Sequence, residues 1–383
     1  MTGPALHRRQ LLAAGGAAML AACARTPGGV ATAPAALRPS SLRPLLLDPA
    51  RVEQMLVCLR PFRAAGPRLE LERFGEKAVL HNYGHGGSGW SLSWGCADEA
   101  AALARTVPTG PVAVVGAGVI GMTTAIRLAE SGTPVTIYAA DFALQTRSAR
   151  ATGVWSPSSR IAMESAAGRA FPERWEAWAR RSFVEHYAAL DQSLPPVEFL
   201  PQYNIAGRTE PRIRSQRDWL HLDRRLAGLM TPWRDFEADN AEFPGRDGRT
   251  GLTMAFDIAR YFELLRQRVT AAGGALVERQ FGGRADILAL PEATIVNCMG
   301  YGARETWGDA SIIPVRGQVA HLPPQPDARY AMYHDAVQAV SRRDALIVQY
   351  LGVNDDWGYG EAGETPDPAE TRLALSRLRP LFA

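Results

Sequence analysis

The pattern of apolar positions changes its period near residue 112. Val112–Val115 is a continuous apolar run, which predicts a buried parallel strand. Beyond it, Ile120, Thr124 and Leu128 recur at helical spacing, so a helix is predicted to follow the strand. A second apolar segment at 134–138 predicts another strand. Strand, helix and strand in this order indicate a parallel α/β unit.

The same periodicity predicts further elements along the chain. Asp257 is placed to cap a helix, since its carboxylate can accept hydrogen bonds from the first-turn N–H groups. That helix presents one apolar face, made of Ile258, Phe262, Leu265 and Val269. We predict helices over 97–107, 172–190, 216–229, 257–271 and 368–381, and strands over 68–72, 275–279, 294–297 and 346–351.

Three glycines between the first strand and its helix have the spacing Gly-x-Gly-x-x-Gly. Gly116 permits a tight turn, Gly118 lets a pyrophosphate approach the backbone, and Gly121 lets helix and strand pack closely. Asp141 lies 20 residues beyond Gly121, where a ribose-binding carboxylate is expected. Together these features predict a dinucleotide site. The alternative is a glycine-rich turn that binds nothing.

Composition and charge narrow the class of protein. The 383 residues are enough for two domains with separate cores, and 46% hydrophobic and 21% charged residues are typical of globular proteins. The net charge of +3 is too small to indicate nucleic-acid binding, and no basic run is dense enough for it. We therefore expect no nucleic-acid partner.

The cysteines and histidines do not indicate a metal site. Apart from Cys23, the cysteines are Cys58, Cys96 and Cys298, and two of these lie in apolar or glycine-rich surroundings, so a disulfide framework is not expected. No Cys/His cluster has the spacing of metal ligands, and no metal is expected.

The first 23 residues form a predicted export signal. Arg8 and Arg9 make a twin-arginine start, and the apolar run 11–22 is too short to span a bilayer as a mature helix. The run ends in Leu-Ala-Ala-Cys23, which resembles the lipobox of bacterial lipoproteins. We expect export to the periplasm, membrane contact only through a lipid on Cys23, and a flexible tether over 24–41. The alternative is a disordered Ala-rich tail with two accidental arginines.

A second glycine-dense loop, HNYGHGGSGWSLSWGC at 81–96, leads into the predicted helix at 97–107. Such a loop lets the backbone approach a planar ligand, and a helix N-terminus offers partial positive charge to an anion. His81 and His85 could be metal ligands or a catalytic base. We favour a structural role for both, in which they satisfy backbone groups of the turn.

The sequence HNYGHGGSGWSLSWGCADEAAALA closely resembles the closing flavin-binding segment of the D-amino-acid oxidase family. Matches to this family cover most of 56–352. The other similar segments are VVGAGVIGMTTA at 114–125, ATGVWSP at 151–157, the stretch 253–281, IVNCMG at 295–300 and RGQV at 316–319.

The order of these segments differs from the family's order. The closing segment normally comes last, yet here it precedes the Gly116–Gly121 loop. The chain therefore resembles a circularly permuted D-amino-acid oxidase. The family's usual termini would be joined through 105–111, and the new termini would lie at Ala383 and about Leu42. A short joint is plausible because the closing helix would pack on the sheet that holds the first strand.

The resemblance implies an α/β protein with a Rossmann-type FAD-binding domain and a mixed-sheet α+β substrate domain, both discontinuous. The FAD-binding domain is predicted over 76–160 and 257–311, and the substrate domain over 42–75, 161–256 and 312–383. FAD is implied rather than a nicotinamide cofactor, because two glycine-rich helix N-termini belong to one Rossmann core, whereas a nicotinamide enzyme needs only the first.

By resemblance, the Rossmann loop would hold the pyrophosphate and the second loop would lie along the isoalloxazine ring. In the turn at 146–148 only Thr146 is a direct match, and Asp141 is offset by one position from the family's acid. The residues implied to bind FAD are Gly116, Ala117, Gly118, Val119, Ile120, Gly121, Asp141, Thr146, Arg147, Ser148, Gly153, Val154, His81, Gly86, Gly87, Ser88, Gly89, Trp90, Ser91, Phe281 and Gly300.

Two residues are implied to contact the substrate. Arg60 matches the family arginine that binds the substrate carboxylate bidentately, a geometry that lysine cannot supply. The alternative is a structural arginine beside Arg63. The Gly87 carbonyl would accept a hydrogen bond from the substrate amine.

The implied activity is oxidative deamination of a D-amino acid to a 2-oxo acid, ammonia and hydrogen peroxide, with oxygen or another electron acceptor. The family's pair of substrate-covering tyrosines is missing from 335–344, where the loop is expected to be shortened, and Ser156 and Ser158 replace larger residues. The pocket could admit a bulkier or more acidic substrate near Arg342 and Arg343, unless both lie in a solvated turn.

Two other functions stay open at this point. One is oxidation of another amine or an N-substituted amino acid by the same flavin chemistry. The other is FAD binding without catalysis.

Overall fold

The computed structural model describes residues 42–207, 209 and 213–382. The predicted export signal with Cys23 and the predicted tether at 24–41 lie outside the described residues. Within the described residues, no helix is both long enough and apolar enough to cross a membrane.

The described chain alternates strands and helices. The strands are β1 Gln54–Phe62, β2 Arg68–Phe74, β3 Lys77–Tyr83, β4 Val112–Val115, β5 Val135–Ala139, β6 Val197–Ile205, β7 Arg234–Phe236, β8 Gly248–Phe256, β9 Ala275–Glu278, β10 Thr294–Asn297, β11 Ile313–Leu322, β12 Ala331–His334, β13 Val337–Ser341 and β14 Leu346–Tyr350. The α-helices are α1 Gly89–Ala104, α2 Val119–Glu130, α3 Phe171–Ala188, α4 Ile258–Ala271, α5 Arg284–Leu288, α6 Ala303–Thr306 and α7 Pro368–Leu378.

A six-stranded sheet has the order β2-β3-β10-β4-β5-β9. All its pairs are parallel except β2–β3, which is antiparallel at one edge. The central strands β4 and β10 are buried along their whole length, as parallel strands covered on both faces must be. This sheet confirms the predicted α/β class.

An eight-stranded sheet has the order β1-β11-β14-β13-β12-β6-β8-β7. Its pairs are antiparallel except β6–β12, which is parallel, so the sheet is mixed. Helix α7 packs on it through Leu375 and Leu378, which join an apolar cluster with residues of this sheet.

Helix α1 lies against α2 and α3 at close range. A side chain at Gly95 would overlap the backbone of Trp178 on α3, and the Gly95 N–H donates to the Ser182 hydroxyl at 2.9 Å. The predicted cap of α4 is confirmed, because the Asp257 carboxylate accepts from the Arg260 N–H at 3.1 Å.

Four local predictions differ from the structure. Helix α1 begins at Gly89 rather than at 97, since burial of the small residues at its start outweighs their low helix propensity. No α-helix forms over 216–229, which holds only a short 3-10 turn at Asp223–Leu226. Strand β2 belongs to the six-stranded sheet and not with the substrate domain, because a two-residue turn pairs it with β3.

The fourth difference concerns 335–344. This stretch is not a shortened loop but contains β13, which pairs with β12 and β14. The division into two domains otherwise stays a prediction.

The two ends of the described chain meet on the same apolar cluster. Leu45 and Leu47 pack with the α7 leucines. The Arg379 guanidinium donates to the Leu47 carbonyl at 3.1 Å, and the Tyr330 hydroxyl donates to the Arg43 carbonyl at 2.8 Å.

Candidate active site

A cavity of about 700 Å³ lies at the carboxyl ends of β4 and β5 and extends along β1, β11, β13 and β14. Ligands of open parallel sheets bind at this end of the strands. The N-termini of α1 and α2 both open onto it. The sequence-predicted residues that line it are Arg60, Gly86, Gly87, Gly89, Trp90, Gly116, Ala117, Gly118, Val119, Ile120, Asp141, Thr146, Arg147, Ser148, Gly153, Val154, Phe281 and Gly300.

Four predicted cofactor residues do not line this cavity: His81, Ser88, Ser91 and Gly121. His81 is buried, its ring nitrogens lying 2.9 Å from a Glu72 carboxylate oxygen and 3.2 Å from the Asn297 amide nitrogen. It is therefore held by side chains rather than by backbone groups of the turn.

The two serines hold the second loop in place. The Ser88 hydroxyl lies within hydrogen-bond distance of the Ser156 and Ser159 carbonyls, at 3.2 and 3.1 Å. The Ser91 hydroxyl accepts from the Ser156 N–H at 2.7 Å. These three contacts hold the segment 156–159 against the start of α1.

The Gly116–Gly121 turn is built as its spacing predicts. Gly116 has φ +107°, and a Cβ there would come 2.5 Å from the Cys298 carbonyl oxygen. A Cβ at Gly121 would overlap the Gly116 carbonyl oxygen. Glycine is therefore required at both positions, at Gly116 by the conformation and at Gly121 by the close packing of strand and helix.

The predicted turn at 146–148 supports the first helix start. The Ser148 hydroxyl accepts from the Val119 N–H at 3.1 Å, at the first turn of α2. The Ser148 carbonyl accepts from the Trp90 indole N–H at 2.8 Å, on α1. One residue thus links both helix starts.

Two arginines at the edge of the cavity share one carboxylate. Arg147 and Arg150 donate to the two oxygens of Glu364 at 2.6 and 2.8 Å. All three side chains are about one third to one half exposed.

Arg60 lies on β1, and its guanidinium crosses the neighbouring strand β11. It donates to the Arg316 carbonyl at 3.2 Å and occupies the space that a side chain at Gly317 would fill. Burial lowers the pKa of Arg60 below its ordinary value. Among the described residues it forms no ion pair with a carboxylate, and both Arg60 and Gly317, which its guanidinium covers, line the cavity.

His85 also lines the cavity, and its Nε2 has no hydrogen-bond partner within the described chain. Burial lowers the pKa of His85 to about 3. The ring is therefore neutral at neutral pH, with one N–H group and one acceptor nitrogen, and is not an imidazolium acid.

Arg342 and Arg343 do not line the cavity, contrary to one sequence expectation, and Arg342 is not in a solvated turn. Arg342 is 1% exposed, pairs with Asp344 at 2.8 Å and donates to the Thr152 carbonyl at 3.1 Å. Arg343 pairs with Glu198 at 3.5 Å on the surface. Both arginines are structural, because their charges are matched where they lie.

Comparison with known proteins identifies the family. A family model described as FAD dependent oxidoreductase matches residues 111–383. The chain belongs to this family. It is 56% identical to a D-amino-acid oxidase from Rubrobacter xylanophilus over 278 residues, which are 70% of this chain and 76% of the relative.

Two further similarities were found. A D-amino-acid oxidase from Streptomyces coelicolor is 34% identical over 211 residues, 55% of this chain, and the match spans only 58% of that relative. The solved structure of an iminodiacetate oxidase from Chelativorans sp. BNC1 has a TM-score of 0.48 at 15% identity, over 69% of this chain and 77% of that chain.

The cavity of this FAD-dependent oxidoreductase fits its family's cofactor. Two glycine-lined helix starts face one cavity, and the backbone is exposed at turns where a Cβ would not fit. Helix N-termini of this kind stabilise pyrophosphate and the negative charge of a reduced ring. Asp141 lines the same cavity beyond β5. In the described part of the chain, no group of three or more His, Cys, Asp or Glu side chains could hold a metal ion.

The cavity residues of this FAD-dependent oxidoreductase that sequence reasoning missed include four polar or charged side chains: Arg160, Gln338, Gln349 and Asp355. Gln338 and Gln349 are cross-strand neighbours on β13 and β14. Gln349 is the one amide side chain in the otherwise apolar and fully buried strand β14, and this could have indicated it. No local pattern indicates Arg160, whose backbone has φ +50° and whose position follows from the loop that covers Gly86.

Proposed function

We propose that this FAD-dependent oxidoreductase converts a D-amino acid, oxygen and water to a 2-oxo acid, ammonia and hydrogen peroxide. The observation that carries the proposal is the Arg60 guanidinium, which faces the cavity shared by both glycine-lined helix starts without a carboxylate partner among the described residues. The D-amino-acid oxidases similar to this chain support the same reaction.

The residues of the chain would bind and orient the substrate. Arg60 would hold the α-carboxylate with two parallel hydrogen bonds, and the Gly87 carbonyl would accept from the amine. His85 stays neutral beside them, so it neither repels the amine nor protonates it. When bound, FAD would supply the redox chemistry, namely acceptance of a hydride from Cα and transfer of the electrons to oxygen.

The test is anaerobic bleaching of the flavin by D- and L-amino acids. Bleaching by D-amino acids alone supports the proposal, whereas a yellow protein that no amine bleaches would leave only FAD binding. Arg60→Ala is expected to raise KM with little change in kcat. The loss in binding free energy should be about 2–5 kcal/mol, because a charged hydrogen-bonded pair is lost.

Arg343→Ala is the matched control, because Arg343 lies outside the cavity on the surface. Its KM is expected to stay at the wild-type value. Unchanged kinetics in Arg60→Ala would remove Arg60 from the site.

A second candidate is oxidation of another amine, such as an N-substituted amino acid, with an acceptor other than oxygen. It is favoured by Gln338, which lies within 335–344, where the family has covering tyrosines, since this glutamine gives the pocket a different lining. Comparing peroxide release with dye reduction over a panel of D-amino acids and N-methyl amino acids separates the two.

We also propose that the chain is circularly permuted. The HNYGHGG segment precedes the Gly116 turn, and the family match begins only at residue 111. A gene reordered to encode 111–382 followed by 42–110 is expected to give a yellow protein with the same substrate range. A colourless, unfolded product would count against the permutation.

Export through a twin-arginine signal to the periplasm, with a lipid on Cys23, is a further proposal. It rests on the sequence pattern of residues 1–23. Replacing Arg8 and Arg9 by lysine is expected to keep the protein in the cytoplasm. Cys23→Ala is expected to release it from the membrane fraction and abolish labelling by fatty acid.

A further inference from the structure

Arg160 places a second guanidinium in the cavity. It follows the segment that covers the Gly86 turn: the Gly87 N–H donates to the Ser159 carbonyl at 2.9 Å, and a Cβ at Gly86 would overlap the Arg160 carbonyl oxygen. The Arg160 side chain turns back to line the cavity, where its Nε donates to the Asp355 carbonyl at 3.1 Å.

Arg160 and Arg60 are electrostatic neighbours. Burial and the positive charge of Arg60 lower the pKa of Arg160 to about 10, so Arg160 remains charged at neutral pH. Within the described chain, the side-chain hydrogen bonds of both arginines go to main-chain carbonyl oxygens, and neither side chain forms an ion pair. Like charges held together in a partly buried space favour an anionic ligand.

The cavity that holds the two arginines has further polar side chains. The Thr152 hydroxyl donates to the Gln349 amide oxygen at 2.5 Å, which leaves the Gln349 amide N–H groups as the donors of that side chain. Gln338 lies opposite Gln349 on the next strand, and both line the cavity. Amide donors and guanidinium groups in one cavity suit a carboxylate better than an apolar side chain.

We propose that Arg160 forms a second anion subsite and that the substrate is a D-amino acid whose side chain carries a carboxylate. The inference rests on the proposed function, in which Arg60 holds the α-carboxylate. Asp355 and Asp356 offset part of the Arg160 charge without forming an ion pair with it, and a substrate with one carboxylate would pair with only one of the two guanidinium groups. A substrate with two carboxylates and one ammonium group matches both arginines and still offers its amine to Gly87.

The subsite is tested by calorimetric titration of the FAD-loaded enzyme with succinate and butyrate, which have equal chain length and differ by one carboxylate. Succinate is expected to bind at least about tenfold more tightly. Arg160→Gln is expected to abolish this advantage while the Kd of butyrate changes less than about twofold. Arg343→Gln, which removes a surface arginine, is the matched control and should retain the advantage.

Two results would overturn the subsite. Equal weakening of succinate and butyrate in Arg160→Gln would mean that both arginines hold a single carboxylate. Equal affinity of the wild-type enzyme for the two ligands would mean that no second carboxylate is bound.

Turnover distinguishes this inference from the proposed function. D-aspartate and D-glutamate are expected to exceed D-asparagine and D-glutamine in kcat/KM by at least about tenfold, and Arg160→Gln should remove the difference. If neutral D-amino acids are oxidised as well as acidic ones, the substrate class is wrong and the proposed function stands. If succinate binds through Arg160 but no D-amino acid bleaches the flavin, the proposed function fails and the subsite stands.

Discussion

Arg60 reaches the cavity because the neighbouring strand carries a glycine. On β11, a Cβ at Gly317 would lie 2.7 Å from the guanidinium carbon of Arg60. The Arg60 side chain can therefore lie across β11 and donate to the Arg316 carbonyl. The sequence could indicate Arg60 by resemblance, but it could not indicate that Gly317 makes room for it, since the two residues are brought together only by strand pairing.

Gly317→Ala is expected to displace the Arg60 guanidinium and raise KM roughly 10- to 100-fold, because shifts of about 1 Å in a binding group have effects of this size. Steady-state kinetics with the best D-amino acid measure the effect. Gly363→Ala is the control, since nothing lies within 4 Å of a Cβ at that position. Equal KM values in both variants would show that Arg60 does not depend on Gly317.

The backbone of Arg160 is strained, with φ +50°. Alanine keeps this strain and glycine relieves it, while both remove the guanidinium. Arg160→Gly is therefore expected to be more stable than Arg160→Ala by about 1 kcal/mol in the free energy of unfolding. Urea denaturation measures the difference, and an alanine variant as stable as the glycine variant would contradict it.

At the scale of elements, the strand-turn-helix at Val112–Glu130 was predictable because a buried strand, a glycine turn and a helix each leave a local pattern. Helix α1 was predicted to start too late because small residues at its first turns conceal a helix that is packed against α3. The stretch 216–229 was predicted wrongly for the opposite reason: its helical propensity is overridden by contacts such as that of Trp219 with Phe62.

The Gly116–Gly121 turn gives a prediction at this scale. Gly121→Ala is expected to force α2 away from β4, because the added Cβ would overlap the Gly116 carbonyl oxygen. The variant should retain less FAD after purification and unfold at a lower temperature. The absorbance of bound flavin and the Tm measure the two effects.

Gly110→Ala is the matched control, with no atom within 4 Å of its added Cβ. Normal flavin content in Gly121→Ala would mean that this turn can relax without disturbing the cofactor site.

At the scale of the whole molecule, the site depends on contacts between distant parts of the chain. Arg60, Gly87, Gly116 and Gln349 come from four separated segments, and only pairing within the two sheets brings them to one cavity. Motif order and spacing could predict the cofactor end of the cavity. They could not predict Arg160 or the glutamines, because no local rule relates those residues to Arg60.

Buried histidines give a pH dependence to the stability of the molecule. His186 is buried, its Nε2 donates to the Trp90 carbonyl at 3.0 Å, and its Nδ1 lies 2.7 Å from the Tyr261 hydroxyl. Burial lowers the pKa of His186 to about 3. The unfolded chain takes up this proton near pH 6.5, so stability is present above that pH and is lost as pH falls toward 3.

In urea denaturation between pH 7 and pH 5, the free energy of unfolding should therefore decrease as the pH is lowered. His186→Gln is expected to reduce this dependence by up to about one proton, whatever its effect on stability at pH 7. An unchanged dependence would mean that His186 does not control stability in this range.

The carboxylate of Glu364 ties down two arginines at the mouth of the cavity. Dissolved counter-ions compete with partly exposed ion pairs of this kind, and the competition grows with ionic strength. High salt concentrations would therefore release both Arg147 and Arg150 from Glu364. The bound cofactor should then dissociate faster at high ionic strength than in dilute buffer.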